Sequence, residues 1–173
     1  MILSPLDEYP IHQAPVPIGT PATSDRNFYD RSYFNVLDRE GRFMALTGIG
    51  SYPRLGVKDA YVVIRRGDTQ TAVRFSDAID GYRLDQNVNG YRLEVVEPLQ
   101  ELHLTVAETE GISVDLRWRG LFPAALEHPH QMNSERRVTL QACRFAQLGT
   151  WKGGPHHPSG FSDWTDVPEG TPS

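Results

Sequence analysis

Residues 24–41, SDRNFYDRSYFNVLDREG, bring side chains that can do chemistry into one short stretch. Asp25–Arg26 and Asp30–Arg31 are adjacent opposite charges, and a guanidinium can bind a carboxylate through two parallel hydrogen bonds. The four serve either as a ligand surface or as a charged brace holding the preceding arm to the domain rim; the brace is the reading adopted. Period-two alternation then sets Tyr33 and Asn35 on one face with Leu37, and Phe34 and Val36 on the other. The expectation is that Tyr33 and Asn35 point inward. Polar atoms there need a partner, supplied by the protein or by a ligand. Tyr61, in AYVVIRR, joins Tyr33 and Asn35 as the candidate ligand-binding set.

A second constellation is Glu127 and His130 in FPAALEHPHQ. A carboxylate and an imidazole at the mouth of a barrel can shuttle a proton, and these two are the candidate catalytic pair. The competing reading is a solvated loop. His128 and His130 are two apart, and His156 and His157 are adjacent. A zinc site needs three or four converging ligands, and neither a cysteine pair nor an HExxH helix supplies the rest. No metal and no cofactor are expected. The RGD of residues 66–68 fits a two-residue hairpin turn. There is no GxSxG elbow and no phosphate-binding loop, because GIGSYPRLG lacks the Lys-Ser/Thr ending. Gly48, Gly50 and Gly56 are expected to permit bending or close backbone approach.

Composition narrows the classes further. The 173 residues fit one domain, and 17 basic against 22 acidic residues give a net charge of −5. Nucleic-acid binding needs a basic face, so no nucleic-acid partner is expected. Cys143 is the single cysteine, which rules out an internal disulfide. MILSPLDEYP lacks the basic and apolar regions of a signal peptide, and no apolar run is long enough to span a bilayer. A cytoplasmic location is expected.

These side chains must be positioned by strands. ISVDLRWRG alternates strictly, with Ile112, Val114, Leu116 and Trp118 on one face and Ser113, Asp115, Arg117 and Arg119 on the other. ELHLTVAE repeats the pattern with Leu102, Leu104 and Val106 inward, and ETEG between them is a hairpin turn. RFMALTGIG, AYVVIRR, TQTAVRF, YRLEVVEP, VTLQACRF and the segment from Tyr33 bring the total to about eight strands. SDAID, residues 76–80, is read as one helical turn. The fold class is all-β: an antiparallel lipocalin-like barrel or strongly curved sandwich, complete or incomplete in this chain. Five prolines mark residues 1–30 as an extended arm; residues 31–151 form the β domain. Four prolines and four glycines mark residues 152–173 as a disordered tail, in which Phe161 and Trp164 are unusual.

Several blocks together carry a resemblance: TSDRNFYDRSYFNVLDREGRF, GIGSYPRLGVKDAYVVIRRGD, AVRFSD, YRLEVVEPLQELHL, DLRWRGLFPAALEHPH and AQLGTWKG. Over residues 9–153 they resemble an actinobacterial group of lipocalin-like proteins of unknown function. That group is similar in plan to the carotenoid 1,2-hydratase (hydroxyneurosporene synthase) family. The resemblance implies two lipocalin-like barrels in tandem and a lipophilic, terpenoid- or polyketide-like ligand held in a barrel or between the two. This chain resembles the N-terminal barrel only, because Pro/Gly-rich sequence follows GTWKG where the group continues into a second barrel. The expected function is lipophilic small-molecule binding by one half of a two-barrel protein, completed by a homodimer partner or a missing second barrel. The alternatives are an acid–base enzyme of hydratase or isomerase type, or a non-catalytic fragment acting with a partner chain.

Overall fold

The computed structural model describes residues 3–9, 24–38, 40–82, 84–128, 130–134, 137–142 and 145–156. Among them are thirteen strands: β1 (Asp30–Leu37), β2 (Phe43–Tyr52), β3 (Val57–Arg66), β4 (Thr69–Ala78), β5 (Gln86–Val88), β6 (Tyr91–Glu97), β7 (Glu101–Thr109), β8 (Ile112–Gly120), β9 (Ala125–Leu126), β10 (His130–Ser134), β11 (Arg137–Ala142), β12 (Phe145–Ala146) and β13 (Gly149–His156). A four-stranded sheet has the order β1-β2-β3-β4, and a five-stranded sheet the order β13-β8-β7-β6-β5. Two small pairs, β10-β11 and β12-β9, complete the set. All pairings are antiparallel. The domain is all-β, and among the described residues its sheets do not close into a barrel. No helix among the described residues is long and apolar enough to cross a membrane.

Alternation decides which face each strand buries. In β8 the apolar set Ile112, Val114, Leu116 and Trp118 is buried, while Asp115, Arg117 and Arg119 are exposed. In β7 Leu102, Leu104 and Val106 are buried beside them. The turn joining the two is Glu110–Gly111, both at positive φ (51° and 80°), which suits the right-handed twist of a tight hairpin. The RGD forms the β3–β4 turn, with Gly67 at φ 54° and Arg66 opposite Thr69. Both hairpins agree with the sequence reading. The two large sheets share one core, in which Val36, Phe43, Ala45, Val62 and Phe75 of the first meet Tyr91, Leu104, Val114 and Trp151 of the second.

Four sequence expectations change. SDAID does not form a helical turn: Ser76–Ala78 complete β4, held by pairing to Val57, Lys58 and Asp59. The β domain does not stop at residue 151, because β13 continues to His156 along β8. Gly153 enables this, since at φ 102° a Cβ there would collide with the Asp115 carbonyl oxygen. The arm is not extended throughout: Pro5–Glu8 form a 3-10 turn, and the Glu8 carboxylate accepts the Leu99 N–H at 2.7 Å. Finally, the two faces of β1 are reversed. Phe34 and Val36 point into the core, while Tyr33, Asn35 and Leu37 are exposed. The apolar partners decide this, because Phe34 packs edge-on against the Trp151 ring at 5.7 Å. Cys143, His157, Phe161 and Trp164 lie outside the described residues.

Candidate functional site

The reversal of β1 moves the candidate ligand residues to the outer face of the four-stranded sheet. Register aligns them in cross-strand rows. One row runs Arg31–Gly50–Asp59–Ser76, the next Tyr33–Gly48–Tyr61–Arg74, and the next Asn35–Leu46–Val63–Ala72. Tyr33 and Tyr61 therefore flank Gly48, with Asn35 one row further along the same face.

The glycines let aromatic rings lie down on the sheet. A Cβ at Gly48 would stand 2.7 Å from the Ser32 carbonyl oxygen and 3.1 Å from both the ring edge and the hydroxyl of Tyr61. A Cβ at Gly50 would stand 3.0 Å from Asp59 Oδ1 and 3.0 Å from the Tyr52 hydroxyl. Glycine inside a strand costs stability by itself, and close approach of a ring is what it makes possible. The sequence expectation of close approach at these two positions holds, and Gly56 sits in the β2–β3 turn at φ 71°.

Charge around the rings is organised. Arg31 Nη2 donates to the Tyr52 hydroxyl at 2.9 Å, and the Tyr52 hydroxyl is hydrogen-bonded to Asp59. The Arg31 guanidinium also sits 4.4 Å from the centre of the Tyr29 ring, a cation–π distance. The Tyr29 and Tyr52 rings are 6.1 Å apart. Burial, followed by the Asp59 charge, raises the Tyr52 phenol above its ordinary pKa against the pull of Arg31. Burial, followed by the neighbouring Tyr33 phenol, raises Tyr61. Tyr52 and Tyr61 thus stay protonated at neutral pH. They are hydrogen-bond donors and stacking surfaces, not bases, so the arrangement suits binding better than proton abstraction.

The second constellation falls partly outside the described residues. Glu127 is half-buried just after β9, and His130 opens β10, with its side chain outside the described residues. His128 is exposed. Asp25 accepts the Asn27 N–H at 2.8 Å, a turn contact within the brace segment. Among the described residues, no three His, Cys, Asp or Glu side chains stand where they could share a metal.

Sequence reading missed Tyr29, Tyr52, Asp59 and Arg74. Asp59 and Tyr61 do share a face by simple alternation, and that signal was present. The alignment of Tyr61 with Gly48 and Arg74 depends on cross-strand register, which a single strand pattern does not contain.

A family model described as "Family of unknown function (DUF8625)" matches residues 3–165, and the chain belongs to that family. Comparison with curated proteins gives no match, and comparison with solved structures gives none.

Proposed function

We propose that the chain is a small-molecule-binding β domain whose lipophilic ligand lies on the tyrosine face of the first sheet. The ligand class is a flat or extended hydrocarbon framework of terpenoid- or polyketide-like character. The observation that carries this reading is the pairing of Tyr33 and Tyr61 on either side of Gly48, with Tyr33 55% exposed. A ring held flat, as Tyr61 is over Gly48, presents a π-face outward, and aromatic contacts add about 0.5–1.5 kcal/mol beyond area burial. Leu46 and Val63 in the next row extend the apolar floor, and Leu37 beyond them is 50% exposed. The interior is a less suitable place, because Tyr91, Leu102, Leu104, Val62 and Val73 fill it with fully buried side chains.

The test is a titration with N-phenyl-1-naphthylamine, a neutral fluorescent probe. Tyr33→Ala and Tyr61→Ala should each weaken binding by about 0.5–1.5 kcal/mol. Unchanged affinity in both variants would overturn the assignment.

A further inference from the structure

We infer that the ligand of the tyrosine face carries an oxyanion, a carboxylate or its equivalent, seated at Arg74. This rests on the binding reading above and adds the ligand's charge to it.

The charge of the face is opposite to that of the chain. The outward positions of β1–β4 hold three arginines, Arg31, Arg65 and Arg74, against one carboxylate, Asp59, in a protein of net charge −5. Two of the three arginines are engaged locally. Arg31 is committed to the Tyr52 hydroxyl and the Tyr29 ring, and Arg65 Nε donates to the Gly67 carbonyl oxygen at 3.1 Å. Asp59 is engaged by the Tyr52 hydroxyl. Arg74 remains. It is exposed, directly opposite Tyr61, and has no hydrogen-bond or ion-pair partner among the described residues. The outer face of the other sheet treats the arginines of β8 differently: Arg119 meets Glu101 at 2.8 Å and Arg117 meets the same carboxylate at 3.5 Å.

Arg74 stands at the end of the row, on the strand beside Tyr61, whose hydroxyl leans the other way over Gly48, and its planar guanidinium offers paired N–H donors there. Such donors complement a carboxylate, which only accepts. The apolar body of the ligand would then run from Arg74 across Tyr61 and Gly48 to Tyr33.

Two probes differing only in a sulfonate separate this inference from the binding reading. They are N-phenyl-1-naphthylamine and 8-anilino-1-naphthalenesulfonate. Arg74→Gln should weaken the sulfonated probe about tenfold and leave the neutral one within about twofold. Arg74→Lys should restore part of the loss, and added salt should weaken only the sulfonated probe. Arg92→Gln, an exposed arginine on the other sheet, should change neither. If Arg74→Gln has equal effects on both probes, or none, while Tyr61→Ala weakens the neutral probe, the oxyanion inference falls and the aromatic site stands. If Tyr33→Ala and Tyr61→Ala alter neither probe, both fall.

Discussion

Thr47 Oγ1 and the Tyr91 hydroxyl lie 2.9 Å apart inside the core, and the Thr47 hydroxyl also reaches the Tyr61 carbonyl oxygen at 2.8 Å. A carbonyl can only accept, so the single Thr47 proton goes to Tyr61 and the Tyr91 hydroxyl must donate to Thr47. Burial pushes the Tyr91 phenol far above its ordinary pKa, which keeps that proton in place. The contact ties the second sheet to β2 and to the backbone of β3 under the tyrosine face. Its two ends are not equivalent. Thr47→Val keeps the shape but leaves a buried Tyr91 donor unsatisfied, a loss of about 1–3 kcal/mol; Tyr91→Phe leaves the Thr47–Tyr61 bond intact and should cost about 0.5–1.5 kcal/mol. Urea melts of both variants check the order. A larger loss for Tyr91→Phe would mean that Tyr91 is not the donor.

Trp118 and Trp151 sit opposite each other on β8 and β13, with ring centres 6.5 Å apart, and Phe34 of β1 closes on Trp151. This trio joins the edge strand of each large sheet. Trp118→Ala should cost about 3–5 kcal/mol, measured by chemical denaturation. Trp151→Ala should cost a similar amount, and the double variant less than the sum, because the rings share a contact. Additive losses would show that the Trp118 and Trp151 rings are not coupled.

Burial was legible where alternation is strict and the apolar residues are large. Ile112, Val114, Leu116 and Trp118 leave no choice of face, and the Glu110–Gly111 turn fixes their register with β7. β1 was misread because both of its faces carry an aromatic and an aliphatic residue. Tyr33 with Leu37 competes with Phe34 and Val36, and only the presence of Trp151 on the facing sheet breaks the tie. β13 was missed for a different reason. Its glycines and Pro155 oppose strand propensity, and the long neighbour β8 supplies the pairing that overrides it. The candidate site inherited the first problem through β1, and its residues were nameable while their rows needed register.

Acid should separate Glu8 from the other carboxylates. Burial raises its pKa above the ordinary value of 4.5, and the bond from Leu99 N–H only partly offsets this. A carboxyl whose folded pKa is raised stabilises most below its unfolded pKa, and that stability is lost as pH rises through the folded value. Asp80 runs the other way, because its bond to Lys58 lowers its pKa, so its contribution is lost as pH falls. Glu8→Gln keeps an acceptor for Leu99 and removes the titration. Relative to wild type, the variant should gain stability as pH climbs from below 4.5 towards neutrality. A stability difference that is flat across that range, measured by urea melts at a series of pH values, would show that Glu8 is not buried against Leu99.

The two glycines under the tyrosine face should respond unequally to an added methyl group. At Gly48 the new Cβ meets a backbone atom, the Ser32 carbonyl oxygen at 2.7 Å, as well as Tyr61 at 3.1 Å. Backbone cannot swing aside, so Gly48→Ala must push β1 away from β2 or strain the strand, at about 1–3 kcal/mol. At Gly50 the three atoms nearest the new Cβ are all side-chain, Asp59 Oδ1 and the Tyr52 ring and hydroxyl, at 3.0–3.1 Å. Those can rotate, so Gly50→Ala should cost less in folding stability while loosening the Arg31–Tyr52–Asp59 chain. Repeating Gly48→Ala in a Tyr61→Ala background separates its two contacts. The ring contact disappears there and the carbonyl contact remains, so most of the loss should persist. Probe affinity divides differently: Gly48→Ala should weaken N-phenyl-1-naphthylamine binding by tilting Tyr61 off the sheet, and should have no further effect once Tyr61 is alanine. If Gly50→Ala proves the more destabilising of the two, the Ser32 carbonyl does not crowd Gly48 as described; if Gly48→Ala weakens the probe equally in both backgrounds, the Tyr61 ring does not lie over Gly48.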